Sequence, residues 1–194
     1  MMVAPAKLAH VVLNTGRLAA MREWYQTVLE AHVVHDAGFA VFLTFDDEHH
    51  RLALVDTGAS TEQAEEPVVF TYSADWTPGQ VFAALAGPPV GLSHTAYTYN
   101  SLDELLDTYE RLAGKGIRPV LTVNHGPTTS LYYRDPDHHM IELQIDNFPP
   151  DEATAFMHSE VFADSQGVGW PFDAEDMLKR HRAGETELLT PWAS

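Results

Sequence analysis

Apolar and polar positions along this chain follow two rhythms, and each rhythm occurs twice. LAHVVLNT at 8–15 and LSHTAYTY at 92–99 share an alternating pattern that suits strands. His10 falls on His94, an offset of 94 − 10 = 84. The offset persists into the next segments, where Leu18 falls on Leu102 and Tyr25 on Tyr109, and the spacing becomes helical. Leu18, Met21, Tyr25, Val28 and Leu29 form one apolar face; Leu102, Leu105, Leu106, Tyr109 and Leu112 form the other. Ser101 with Glu104 predicts a capping box, Gly114 and Gly116 a helix end, and Thr15 is the expected cap of the first helix.

The repeat continues beyond the helices. Asp46-Asp47-Glu48-His49-His50 aligns with Asp135-Pro136-Asp137-His138-His139 at an offset of 135 − 46 = 89, so the second copy has gained residues in its middle strands. Each copy closes on a strand, RLALV at 51–55 and MIELQI at 140–145. The unit therefore reads strand, helix, three strands, occurring twice. Between the copies, 57–90 is acidic and turn-rich, with PVVFTYS as a candidate strand and GQVFAALA as a candidate short helix. Pro149-Pro150 ends the second unit, and a tail follows with helices expected near 151–163 and 173–183.

Composition narrows the function. The chain has 194 residues, 45% hydrophobic and 20% charged, as in a soluble globular protein with a real core. Lys and Arg number 11 against 28 Asp and Glu, a net charge of −17 that disfavours nucleic acid and anionic membranes as partners. The N-terminus carries no basic start followed by an apolar run, so a cytoplasmic location is expected. There is no cysteine, so a metal would have to be held by His and carboxylate.

Repeat symmetry singles out four positions. If the two units pair into one curved sheet, their first and last strands meet, and His10, Ala53, His94 and Glu142 point at one spot. Three of these are ligand types and the fourth is alanine. Two His and one carboxylate leave open positions on the metal, as in non-haem iron(II) oxygenases. Ala53 in place of a fourth ligand frees room for a bidentate substrate and O₂. The bland alternative is that the His pair is a relic of duplication and that Glu142, between Ile141 and Leu143, lies on a solvated strand face.

With these residues in view, the chain resembles the vicinal oxygen chelate superfamily and, within it, the single-domain type I extradiol dioxygenases that cleave catechols and biphenyl-diols. The resemblance is strongest in VNHGPTTSLYYRDPDHHMIE, where His125, Leu131, Tyr132, Asp135, Pro136 and Glu142 occupy the signature places in order. His138 departs from the pattern, standing where the family usually has Gly, so the turn there is expected to survive with some strain or to change type. The implied fold is α+β: two βαβββ modules pairing into an eight-stranded half-open barrel around a metal, plus a C-terminal helical tail. Residues 1–148 form the domain (module one 7–56, connection 57–90, module two 91–148), and 149–194 the tail.

The resemblance implies Fe(II), or alternatively Mn(II), held by His10, His94 and Glu142, with a small aromatic diol and O₂ as partners and a homo-oligomer as one assembly. It assigns His50 as the acid–base residue, an imidazole near its reference pKa of roughly 6.5 suiting both proton steps. Strand alternation sends His49 the other way, though a bend would exchange them. His125 and Tyr132 are the implied donors to charge developing on oxygen. Of Tyr132 and Tyr133, one should face the site. Competing readings are a glyoxalase-like lyase, an epimerase or a thiol transferase of the same superfamily, and a metal-free protein that binds an aromatic ligand.

Overall fold

The computed structural model describes residues 5–59, 80, 91–165, 168–185 and 187–193. The strand expected in PVVFTYS and, apart from Gln80, the helix expected in GQVFAALA lie outside the described residues. The α+β class read from the repeat is the class observed. Two compact units divide the described residues: one runs through Ala59 and includes the turn Asp135–His138, and the other takes the remainder.

The first unit contains β1 (Val11–Thr15), α1 (Leu18–Val28), β2 (His32–Asp36), β3 (Ala40–Thr44) and β4 (Leu52–Asp56). They make a four-stranded sheet in the order β1-β4-β3-β2, with β1 and β4 parallel and the other pairs antiparallel. The helical spacing buries Met21, Tyr25 and Val28, and this face packs on β3 and β4. Thr15 is not the helix cap. The N-cap is Arg17, without a side-chain cap bond, and Thr15 Oγ1 accepts from the Arg17 N–H at 2.8 Å just ahead of the helix.

Two turns in this unit carry the repeat down to single hydrogen bonds. Glu48 N–H donates to Asp46 Oδ1 and Asp137 N–H to Asp135 Oδ1, each at 3.0 Å. In the second turn His138 adopts φ 68°, the left-handed region expected of a glycine, and its N–H donates to the Asp135 carbonyl at 2.9 Å. The turn thus survives with a histidine in it. Asp135 is also anchored from the side, because the buried Tyr25 hydroxyl donates to its Oδ2 at 3.0 Å. Arg17 Nη1 donates to the Pro136 carbonyl at 2.7 Å.

The second unit contains β5 (His94–Tyr99), α2 (Leu102–Gly114), β6 (Leu121–Asn124), β7 (Thr128–Arg134) and β8 (Met140–Asp146). A tail follows with α3 (Pro150–Met157), α4 (Glu160–Asp164), β9 (Trp170–Pro171) and α5 (Ala174–Arg182). The sheet order is β5-β8-β7-β6-β9, so the tail contributes a strand that the repeat did not anticipate. The helix expected near 151–163 is two helices, because Ser159 caps a new one by accepting from Phe162 N–H at 3.2 Å.

α2 begins and ends as its sequence requires, with one adjustment. Ser101 accepts from Glu104 N–H at 3.3 Å, but Glu104 reaches back one residue beyond the cap, accepting from Asn100 N–H at 2.9 Å. At the other end Ile117 N–H bonds to Leu112 O and Gly116 N–H to Ala113 O, a Schellman closure that needs the φ of 78° Gly116 supplies.

The pairing registers of the two sheets coincide. The sequence offsets of 84 and 89 carry Thr95↔Ile141 onto Val11↔Leu52, and Ala96↔Glu142 onto Val12↔Ala53. Ala53 and Glu142 are therefore equivalent positions in the two sheets. Among the described residues, no helix is long and apolar enough to cross a membrane.

Candidate active site

Strand pairing in the second unit assembles a polar group on one face of the sheet. Tyr132 on β7 lies opposite Glu142 on β8, and Glu142 lies opposite Ala96 on β5, two residues from His94. Alternation turns Ile141, Leu143 and Tyr133 to the other face, so Tyr132 is the tyrosine that joins the group. Glu142 is 5% exposed, which rejects the solvated-face alternative. One of its oxygens lies 3.1 Å from His94 Nε2, and the other accepts from the Tyr132 hydroxyl at 2.8 Å.

The electrostatics follow from this packing. Burial raises the Glu142 carboxyl, but hydrogen bonds from His94, Ser130 and Tyr132 outweigh it and hold the group below the usual carboxylate range. The hydrogen bond to Glu142 raises the His94 imidazole against the opposing effect of burial. Burial, joined by the Glu142 charge, pushes Tyr132 far up, so its hydroxyl stays a donor. An ionised, buried carboxylate with an imidazole beside one oxygen is a ready pair of hard and borderline donors for a divalent metal.

His125 stands at the end of β6, partly buried, with Nε2 2.9 Å from the Tyr132 oxygen and Nδ1 2.5 Å from the Val168 carbonyl. Burial lowers its pKa. The loop around it is packed tightly by the tail. Gly126 takes φ 93°, and a Cβ there would fall 2.1 Å from the Phe156 ring.

In the first unit a second imidazole group forms. His10, immediately before β1, is exposed, and its ring lies 4.5 Å from that of His50. His50 also meets the Phe42 ring edge-on at 5.3 Å and stacks on His49 at 4.5 Å. Burial, with the neighbouring His49 and His10, lowers the His50 pKa. His49 points outward, its side chain 71% exposed beside Glu48. The structure thus brings His94, Glu142, Tyr132 and His125 together in one unit, and His10, His50 and Phe42 together in the other. Among the described residues, no three His, Asp or Glu side chains lie close enough together to hold a metal.

Two contributors left little trace in the sequence. Ser130 is recognisable only through the β7–β8 register that sets it near Glu142. Val168 acts through a backbone carbonyl, which has no side-chain signature. Asp135 was singled out by its signature place, and its role is to hold a turn and receive the Tyr25 hydroxyl.

The chain is 50% identical over 173 residues to biphenyl-2,3-diol 1,2-dioxygenase 2 of Rhodococcus globerulus, covering 89% of this chain and 80% of that protein. It is 43% identical over 196 residues to biphenyl-2,3-diol 1,2-dioxygenase 3 of the same organism, covering 99% and 92%. Among solved structures, the fosfomycin resistance protein FosX of Listeria monocytogenes shares the fold, with a TM-score of 0.50 at 17% identity over 77% of this chain and 99% of that one. Residues 7–143 match the family described as Glyoxalase/Bleomycin resistance protein/Dioxygenase superfamily, and the chain belongs to that superfamily.

Proposed function

We propose that this protein is an extradiol dioxygenase that opens a catechol-type ring, of the biphenyl-2,3-diol kind, at a site whose metal ligands are His10, His94 and Glu142. The observation that carries the reading is the buried Glu142 carboxylate, set between His94 and Tyr132, at the place where the other repeat has Ala53. Of the two equivalent positions in that repeat, Ala53 leaves one with a ligand-type side chain, His10. A donor set of two His and one Glu fits iron(II), with manganese(II) as the alternative. Bound there, iron(II) supplies the redox chemistry by which O₂ reacts with an electron-rich diol.

The chain's own residues handle protons and orientation. His50, its pKa lowered, is the unprotonated base at neutral pH and takes a proton from a catechol hydroxyl. Phe42, edge-on to that ring, restricts its orientation. Tyr132 orients the Glu142 carboxylate through its hydroxyl, in the way that groups behind metal ligands commonly do. In the overall reaction the ring carbon–carbon bond beside the diol breaks and both oxygen atoms enter the product.

The test is anaerobic loading with iron(II), then aerobic addition of catechol, 3-methylcatechol and 2,3-dihydroxybiphenyl. A yellow ring-fission product, with one O₂ consumed per diol, is the expected result. Colourless turnover of the methylglyoxal–glutathione adduct in its place would overturn the reading. Glu142→Ala should lose the metal on gel filtration; a variant that keeps a full equivalent would remove Glu142 from the ligand set.

A further inference from the structure

Two parts of the tail, Val168–Trp170 and Leu189, converge on Asn124 and His125. Trp170 pairs with Asn124 as β9 joins β6, and the Leu189 carbonyl accepts from Asn124 Nδ2 at 3.1 Å. Gly169 passes so close that a Cβ on it would lie 2.2 Å from the Asn124 carbonyl oxygen and 2.6 Å from His125 Cα. Val168 packs its side chain against the buried cluster of Val120, Leu121, Val123, Tyr132 and Met140. Its carbonyl is thereby held at His125 Nδ1. These contacts of the tail surround one histidine.

A count of hydrogens gives that placement a chemical meaning. A carbonyl only accepts, so Nδ1 carries the ring hydrogen that points at Val168. Burial favours the neutral imidazole, which has one ring hydrogen, and Nε2 is then a lone pair. That lone pair faces the Tyr132 oxygen at 2.9 Å, the two rings being 87° apart. Tyr132 has a single hydroxyl hydrogen and two acceptors for it, His125 Nε2 and Glu142 Oε1.

We propose that Val168–Trp170 is a positioning element: the Val168 carbonyl locks His125 in the Nδ1–H tautomer, and His125 acts on the reaction through the Tyr132 hydroxyl. In this proposal His125 acts through Tyr132, where the sequence assigned it as a donor to charge on oxygen. The opposite tautomer would set two acceptors against each other at Val168. The Nδ1–H tautomer makes His125 Nε2 an acceptor that competes with Glu142 for the tyrosine hydrogen, and so sets the direction of that hydroxyl. The consequence for turnover rests on the dioxygenase reading; the tautomer does not.

Two measurements test this. In the full-length, ¹⁵N-histidine-labelled protein prepared without added metal, the His125 ring signals are identified by their loss in His125→Asn. Nδ1 should be protonated and Nε2 unprotonated; an Nε2–H tautomer or an imidazolium overturns the proposal. Gly169→Ala, whose methyl drives the tail strand off His125, and the milder Val168→Ala are then examined. Both should show an Nε2–H population, with kcat on 2,3-dihydroxybiphenyl lowered about 10- to 100-fold while KM and iron content change by less than about twofold. Unchanged kcat with a shifted tautomer, or lowered kcat with the wild-type tautomer, also overturns it. If the wild-type enzyme does not open the diol, the dioxygenase reading fails, and the tautomer measurement still decides whether the tail sets the imidazole.

Discussion

Gly126 is a position where a single methyl should meet two separate penalties. Its φ of 93° disfavours any L side chain, at a cost of roughly 1–2 kcal/mol. Its added Cβ would also lie 2.1 Å from Phe156 Cε1. A free ring could swing away, but Phe156 is hemmed in by Phe148 at 5.5 Å, Trp192 at 4.7 Å and Phe162 at 6.1 Å. Overpacking against a held ring adds about 1–3 kcal/mol. Gly126→Ala should therefore lose about 2–5 kcal/mol in total. The two terms separate in the Phe156→Ala background, where the overlap is gone and only the backbone strain of about 1–2 kcal/mol remains. The assay is urea unfolding of the wild type, both single variants and the double variant, followed by tryptophan fluorescence. Equal costs for Gly126→Ala in the two backgrounds would refute the reasoning, since Phe156 would then not oppose the methyl.

His50→Gln should lower kcat about 10²- to 10⁴-fold, and the same change at the outward-pointing His49 by far less, as steady-state kinetics will show. Tyr25→Phe removes a buried hydrogen bond to Asp135 and should cost about 1–3 kcal/mol in urea unfolding, with the Asp135–His138 turn the first part to exchange its amides. For protein prepared without metal, the sign of the pH dependence follows from the His94–Glu142 pair. The Glu142 pKa is lowered on folding, so its contribution is present above roughly pH 4.3 and is lost as pH falls through the folded value. The His94 pKa is raised, so its contribution is present below roughly pH 6.5 and is lost as pH rises through the folded value. Stability from the pair should peak between those limits, and Glu142→Gln should flatten the profile measured by thermal unfolding.

How much of this was legible in the sequence depends on whether the information was local. The repeat was legible because strand and helix periods are written in consecutive residues, and the shared registers of β1–β4 and β5–β8 follow from them. α2 was legible for the same reason, its cap and its glycine end lying within a few residues of each other. Glu142 was half legible: alternation turned it away from Ile141 and Leu143, but its burial depends on Tyr132 and Ser130, placed by a strand pairing no local pattern specifies. The break between α3 and α4 was local and missed, since Ser159 offers a cap at which apolar spacing alone suggests continuity. His138 shows the converse. A glycine-like φ was tolerable in a histidine because the Asp135 carbonyl and carboxylate both bind the turn's N–H groups, and such over-determination is visible only in three dimensions. The tail's grip on His125 was the least legible feature, because it is made by a carbonyl at Val168 and by the missing side chain of Gly169. What positions the chemistry here is therefore partly backbone, and a reading of side chains finds the histidine without finding what holds it.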